Sequence, residues 1–322
     1  MISFKYLFRL LRLYFHYNKK SSSLPYAPVR LWVELTSLCN YRCIMCPNKE
    51  MDKKAHGYMD FSLYKKIIDE AEEFAFDINL AHRGESLLHP QIAEAIFYAK
   101  SKGLFTRLHT NGSLLTEELT HKILESGLDR LSFSFDGFDE GTYERTRVGG
   151  NFEKTLQNII RFLEIKKEKK SKTPNTSIEV INFNENKSLQ TKKEFEARFK
   201  DLPLDSFIVK DLHNWAGETA KDPTSEHYST CTFPWNALIV FWDGTVMPCS
   251  QDFFGSYILG NVNESSLRDI WNNSRSSSLR KKLSEKDIQD LKACRECDRL
   301  RRKNFLGVPK EFLWKFIAKK MP

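Results

Sequence analysis

Three cysteines within eight residues, Cys39-Asn40-Tyr41-Arg42-Cys43-Ile44-Met45-Cys46, constrain this chain more than any other feature. They follow an apolar run at 31–35 (LWVEL) that reads as a strand. A C-x3-C-x2-C loop gathers three thiolates around one point, which suits a cubane [4Fe-4S] cluster whose irons each take one external thiolate. Three protein ligands leave the fourth iron open to chemistry. A zinc site would need a fourth ligand, which His56 could supply, although zinc sites favour paired C-x2-C spacing. Four more cysteines come later, Cys231, Cys249, Cys294 and Cys297, separated by 17, 44 and 2 residues. On spacing alone this second set can close another cluster or hold structural zinc. The total of seven is odd, and Arg9 and Arg12 interrupt the one stretch that could have been a signal peptide. Both facts favour metal ligation in a reducing cytoplasm over a disulfide framework.

Between the two sets, short apolar runs alternate with helical patterns, the mark of βα units and a parallel sheet. Strands are expected at 31–35, 78–81, 105–109, 130–135, 177–182 and 206–210, and helices at 61–76, 91–102, 117–126 and 152–169. Polar residues stand at nearly every strand end: Arg83-Gly84-Glu85-Ser86, Thr110-Asn111-Gly112 and Asp136-Gly137. Carboxyl ends of strands are where α/β sheets and barrels hold their sites. After Cys231 the pattern changes to a hairpin at Asp243-Gly244 and a short helix capped by Ser265 or Ser266.

Charge separates the body from its ends. The 322 residues carry a formal net charge of +8, yet residues 1–30 hold six cations and no acid, and residues 299–322 hold eight cations and one acid. The body between them is therefore mildly acidic, which argues against nucleic acid as a partner. Both ends are amphipathic at helical spacing: Phe4, Leu7, Phe8, Leu11 and Phe15 in the first, and Phe305, Phe312, Leu313, Phe316 and Ile317 in the last. Such helices either pack on the body or make peripheral contact with the inner face of an anionic membrane. No apolar run is long enough for a membrane span.

Taken together, the residues resemble the radical S-adenosylmethionine (SAM) superfamily, and the region from Cys231 to Cys297 resembles its SPASM/Twitch extension through Asp243-Gly244, Leu259-Gly260-Asn261 and Ile270-Trp271-Asn272. The resemblance implies an α/β fold, a partial (β/α)6 TIM-like barrel with a small C-terminal α+β cysteine-ligated domain. The divisions expected are 1–28 for a basic N-terminal helix and linker, 29–215 for the core, 216–300 for the auxiliary-cluster domain and 301–322 for a basic tail.

By the same resemblance, Cys39, Cys43 and Cys46 hold the SAM-binding [4Fe-4S] cluster, and Cys231, Cys249, Cys294 and Cys297 fully ligate one auxiliary [4Fe-4S] cluster. Tyr41 lies in the aromatic-bearing part of the first loop. Gly84 and Glu85 match the motif for the SAM amino group, although Arg83 and Ser86 stand where the family usually has Gly and Pro. Ser134 and Arg145 match a pair for the SAM ribose and carboxylate, and Thr110, Asn111 and Asn182 line the same cavity.

The implied activity is reductive cleavage of SAM to a 5′-deoxyadenosyl radical and hydrogen abstraction from substrate. The outcome expected is two-electron oxidation of a small-molecule or sugar-like alcohol, with flavodoxin or ferredoxin as electron donor and Lys210 or His213 as catalytic base. A peptide-modifying maturase is the second reading, though residues 1–28 are short for a leader-binding domain. A non-catalytic Fe–S or zinc-binding interaction protein is the third.

Overall fold

The computed structural model describes residues 4–181, 183, 189–219, 227–302, 304–305 and 308–309. The chain divides into two compact units, a larger one of residues 30–212 and 239–245 and a cysteine-rich one of residues 1–29, 213–238 and 246–322.

The larger unit is an α/β fold on six parallel strands: β1 (Arg30–Val33), β2 (Asp77–Asn79), β3 (Phe105–Thr110), β4 (Arg130–Ser134), β5 (Asn175–Ile181) and β6 (Ser206–Lys210), in spatial order 6-5-4-3-2-1. Helices α2 (Phe61–Glu72), α3 (Ile92–Ser101), α4 (Glu117–Glu125), α5 (Glu140–Thr146), α6 (Phe152–Glu168) and α7 (Leu189–Ala197) alternate with them. Side-chain caps fix where several begin: Asp60 accepts from the Ser62 and Leu63 amides, Thr116 from Leu119, Asp139 from Thr142 and Asn151 from Lys154.

The two faces of the sheet differ. Leu31, Ile78, Leu108, Leu131, Phe133 and Ile178 are fully buried, and Phe133 meets Phe162 of α6 edge-on at 5.5 Å. The register aligns His109, Ser132, Ser177 and Ser206 in one row, with Ser134, Glu179 and Ile208 in the next row on the same face. This second face is polar.

The cysteine-rich unit contains α1 (Phe4–Asn18), α8 (Phe233–Asn236), β9 (Gly260–Asn261), α9 (Leu267–Asn272), α10 (Ser274–Glu285) and α11 (Lys292–Arg295). The hairpin strands β7 (Ala237–Val240) and β8 (Thr245–Met247) have residues in both units. Ser266 is the cap of α9, accepting from the Asp269 amide.

The serine-rich segment 21–28, expected as a linker, is strapped into this unit. Leu24 and the Asn272 side chain exchange hydrogen bonds of 3.0 and 2.7 Å, and the indoles of Trp235 and Trp271 donate to the Ser21 and Tyr26 carbonyls. Buried Arg280 donates to the carbonyls of Pro234, Ser22 and Trp271. The N-terminal segment therefore groups with the cysteine-rich unit, because buried tryptophans and an arginine supply the donors its backbone needs.

At the C-terminus, β10 (Asn304–Phe305) and β11 (Val308–Pro309) pair antiparallel, so the backbone at Phe305 is extended where a helix was expected. Phe312, Leu313, Phe316 and Ile317 lie outside the described residues. Among the described residues, no helix is long and apolar enough to cross a membrane.

Candidate active site

The loops at the ends of β1 and β2 are locked together by a buried ion pair. Glu34 is fully buried, and the Arg83 guanidinium donates to both of its oxygens at 2.7 and 2.6 Å. His82 Nδ1 lies 3.3 Å from the same carboxylate, and the guanidinium stacks 3.5 Å from the Phe241 ring centroid. Burial alone would raise the Glu34 pKa, but Arg83 and His82 outweigh it and bring the carboxyl down to about 2.

Gly84 follows, and a Cβ there would run into the carbonyl oxygens of Thr36 and Leu38. Close approach of two backbones explains this glycine, and it lets the Glu85 amide donate to Leu38 O at 2.8 Å. Gly84→Ala is expected to lower stability by about 1–3 kcal/mol through overpacking, measured by denaturant unfolding, with looser iron retention as the accompanying sign.

The three-cysteine loop lies along the segment that ends α5. The amides of Arg42 and Ile44 donate to the Val148 and Thr146 carbonyls at 2.8 and 3.0 Å. Tyr41 is buried, its hydroxyl 3.1 Å from Thr155 Oγ1 and 3.4 Å from the Tyr143 hydroxyl, so it anchors the loop to α5 and α6. Cys39 and Cys46 pack against the buried cluster of Tyr41, Cys43 and Met45.

The buried arginine here is Arg147, the residue that follows α5, whereas Arg145 within the helix is exposed. Arg147 pairs with Asp136 at 2.5 Å and approaches Cys43 Sγ at 3.9 Å, while its buried Nε has no partner. Neither Arg147 nor Asp136 was among the expected site residues. Asp136 already marked the end of a strand, and Arg147 falls one turn beyond buried Tyr143, which was the available signal.

Glu85 is buried and accepts from the Leu87 amide at 3.0 Å, the Thr110 hydroxyl at 2.8 Å and the Asn111 amide at 2.7 Å. Burial lifts its carboxyl above the usual range despite these donors. The Asn111 side chain continues to Asn40 at 2.9 Å, inside the cysteine loop. Glu85, Thr110, Asn111 and the loop therefore form one network, and Ser134 sits half-buried at the end of β4. Asn182 lies outside the described residues.

On the polar face of the sheet, Glu179 receives Lys210 Nζ at 2.5 Å and faces His109 Nδ1 at 3.6 Å. Burial would raise the Glu179 pKa, but His109 and Lys210 outweigh it and hold it well below the usual range. His213 belongs to the other unit, 4.0 Å from the Asp298 carboxylate and 3.4 Å from the Arg302 guanidinium. His56 faces the Ser37 carbonyl at 3.1 Å, and His89 the Met59 carbonyl at 3.1 Å.

In the cysteine-rich unit, Cys231, Cys249, Cys294 and Cys297 line one cavity of about 90 Å³, closed by Pro234, Leu279 and Leu283 among others. Burial pushes all four thiols up, Cys297 to about 12. Burial does the same in the first loop, raising Cys39 to about 12 and Cys46 to about 11.

A single local device recurs at both sites. At Cys249 the Gln251 amide donates to the sulfur, and at Cys39, Cys46, Cys231 and Cys297 the backbone amide two residues on works against burial by lowering the thiol pKa. At Cys249 the N···S distance is 3.2 Å, and the neighbouring Gln251 Oε1 is buried without a partner. Amide donors aimed at sulfur favour the thiolate and are a lever by which proteins tune Fe–S centres. Among the described residues, no three His, Cys, Asp or Glu side chains converge closely enough for a single metal ion. Three thiols in one loop and four lining one cavity are donor sets that suit [4Fe-4S] clusters.

Residues 33–186 match the Radical SAM superfamily, and residues 231–298 match SPASM, an iron-sulfur cluster-binding domain. The tungsten-containing aldehyde ferredoxin oxidoreductase cofactor-modifying protein of Pyrococcus furiosus is 27% identical over 292 residues, covering 76% of this chain and 81% of that protein. The S-adenosyl-L-methionine-dependent 2-deoxy-scyllo-inosamine dehydrogenase of Niallia circulans is 26% identical over 277 residues, covering 83% and 91%.

Among solved structures, BtrN in complex with AdoMet and 2-DOIA superposes with a TM-score of 0.57 at 22% identity, covering 84% of this chain and 92% of that one. Streptococcus suis SuiB bound to precursor peptide SuiA gives 0.65 at 14% identity, covering 84% and 70%. These two likenesses speak for the fold. The chain belongs to the radical SAM superfamily, carries a C-terminal SPASM domain, and has SAM with a SAM-binding and an auxiliary [4Fe-4S] centre as its cofactors.

Proposed function

We propose that this radical SAM enzyme is an oxidoreductase that takes one hydrogen from an alcohol carbon and the proton from its hydroxyl in a small, hydroxyl-rich substrate, the remaining substrate electron passing to the auxiliary [4Fe-4S] centre and the priming electron coming from a flavodoxin or ferredoxin. The observation that supports this most is the likeness to 2-deoxy-scyllo-inosamine dehydrogenase, which runs through both domains and spans 91% of that protein. When bound, SAM and its reduced cluster supply the means to take a hydrogen atom from an unreactive C–H bond. What the chain's own residues do can be read from the polar face of the sheet. Ser132 and Ser177 stand in register there with their buried hydroxyls 2.9 Å apart, and Ser206 continues the row, a polar wall in keeping with a polyol.

An alcohol oxidation also needs an acceptor for the hydroxyl proton. Lys210 Nζ is already engaged with Glu179 at 2.5 Å, which leaves it poorly placed to take the hydroxyl proton. His109, its Nδ1 turned toward the same carboxylate, has the arrangement of an oriented imidazole base. We therefore assign the base to His109, with Glu179 and Lys210 positioning it.

The test is anaerobic reconstitution with SAM, a strong reductant and a panel of polyols and aminocyclitols. The expected result is substrate-dependent 5′-deoxyadenosine and a product lighter by two hydrogens. His109→Gln is expected to slow product formation by about 10²-fold, the low end for losing a general base, while leaving SAM cleavage intact. Modification of a peptide in place of any alcohol would overturn the reading.

A further inference from the structure

Helix α1 turns its more apolar side outward. Its inner face is modest: Leu10 and Leu13 are half-buried, and Tyr17 is buried with its hydroxyl on the Thr230 carbonyl at 2.6 Å and its ring edge-on to Trp235 at 5.6 Å. The opposite face carries Leu7, Phe8, Leu11 and Phe15 at 48, 53, 57 and 60% exposure, with Tyr14 beside them. A surface helix ordinarily shows the reverse pattern, apolar inward and polar outward. The four residues recur at three- and four-residue steps and make one continuous stripe. Packing within the unit explains Leu10, Leu13 and Tyr17. It does not explain the stripe.

Cations rim that stripe. The Arg12 guanidinium lies 5.9 Å from the Phe8 ring centroid and donates to the Pro25 carbonyl, and the Lys19 ammonium lies 6.0 Å from the Phe15 ring. Arg9 has Arg268 of α9 as a like-charged neighbour. The sequence contains no carboxylate before Glu34. Exposed aromatic and aliphatic surface bordered by long, flexible cations suits a lipid interface, where rings enter the acyl boundary and cations reach the phosphates.

We propose that α1 docks the cysteine-rich unit onto the surface of an anionic lipid bilayer. A second copy of the chain is a poorer occupant, since two such faces would bring their cationic rims together.

The experiment is flotation of the full-length, anaerobically reconstituted protein with vesicles of phosphatidylcholine, with and without phosphatidylglycerol. The protein is expected to float with the phosphatidylglycerol vesicles, to be released by high salt, and to stay at the bottom with phosphatidylcholine alone. Phe8→Ser with Phe15→Ser is expected to weaken vesicle partitioning by about tenfold or more, since two phenyl groups leave the apolar phase, with unfolding and SAM cleavage unchanged. Protein that stays soluble with both vesicle types, or floats equally with both, overturns the proposal. So does a double variant that floats like the parent, or a lipid-free dimer that the double variant abolishes.

Discussion

Arg83→Met is expected to destabilise the protein by about 3–5 kcal/mol, the cost of leaving a buried carboxylate without its partner. Glu34 has no exposure to water, and Arg83 supplies its bidentate donor, with His82 as a weaker neighbour. The pH dependence gives an independent check. Glu34 titrates near 2 in the folded chain against an ordinary 4.5, so the pair's contribution is fully present above 4.5 and is lost as pH falls toward 2. The size of that contribution is about 3 kcal/mol at 1.36 kcal/mol per pH unit of displacement. Denaturant unfolding between those pH values should show parental stability falling steeply, and Arg83→Met already low and much flatter. Glu34→Leu with Arg83→Met should recover most of the loss, because an apolar pair leaves no stranded charge. A single variant with parental stability would mean the ion pair does not hold the two loops together.

Cys43→Ala and Cys249→Ala are expected to separate the two sites. Cys43 lies in the three-thiolate loop beside Arg147, and the substitution should remove about four irons per chain and lower 5′-deoxyadenosine formation by at least about 10³-fold, since the three thiolates act as one unit. Cys249 lines the four-thiolate cavity of the other unit. Its substitution should also remove about four irons, yet leave SAM cleavage within a few-fold of the parent while abolishing turnover of the substrate. Iron and sulfide analysis with deoxyadenosine quantitation, on anaerobic protein, reads both. Retention of all iron in either variant would break the assignment of ligands.

Local chemistry was legible in the sequence, and long-range geometry was not. The cysteine loop, the Asp243-Gly244 hairpin and the strand ends at Thr110-Asn111 are specified by a few adjacent residues, and each sits where the pattern put it. Arg147 escaped notice because α5 is only seven residues long and includes Gly141, so its phase could not be read. Helix α10 was missed for a different reason: its buried face consists of Leu279, Leu283, Ser276 and Arg280, and a fully buried arginine defeats hydrophobic periodicity. The Glu34–Arg83 pair joins residues 49 apart and exists only because β1 and β2 are neighbours. His109, Glu179 and Lys210 come from three strands, and only their parallel registers put them on one face.

The rungs that tie Arg42 and Ile44 to the chain at 146–148, and the crossing at Gly84, bear on how this protein survives air. They are made entirely of peptide groups, so the backbone that presents the thiolates is tied down by contacts that need no iron. The expected consequence is that protein bleached by air regains its centre on addition of iron and sulfide alone, with no passage through denaturant.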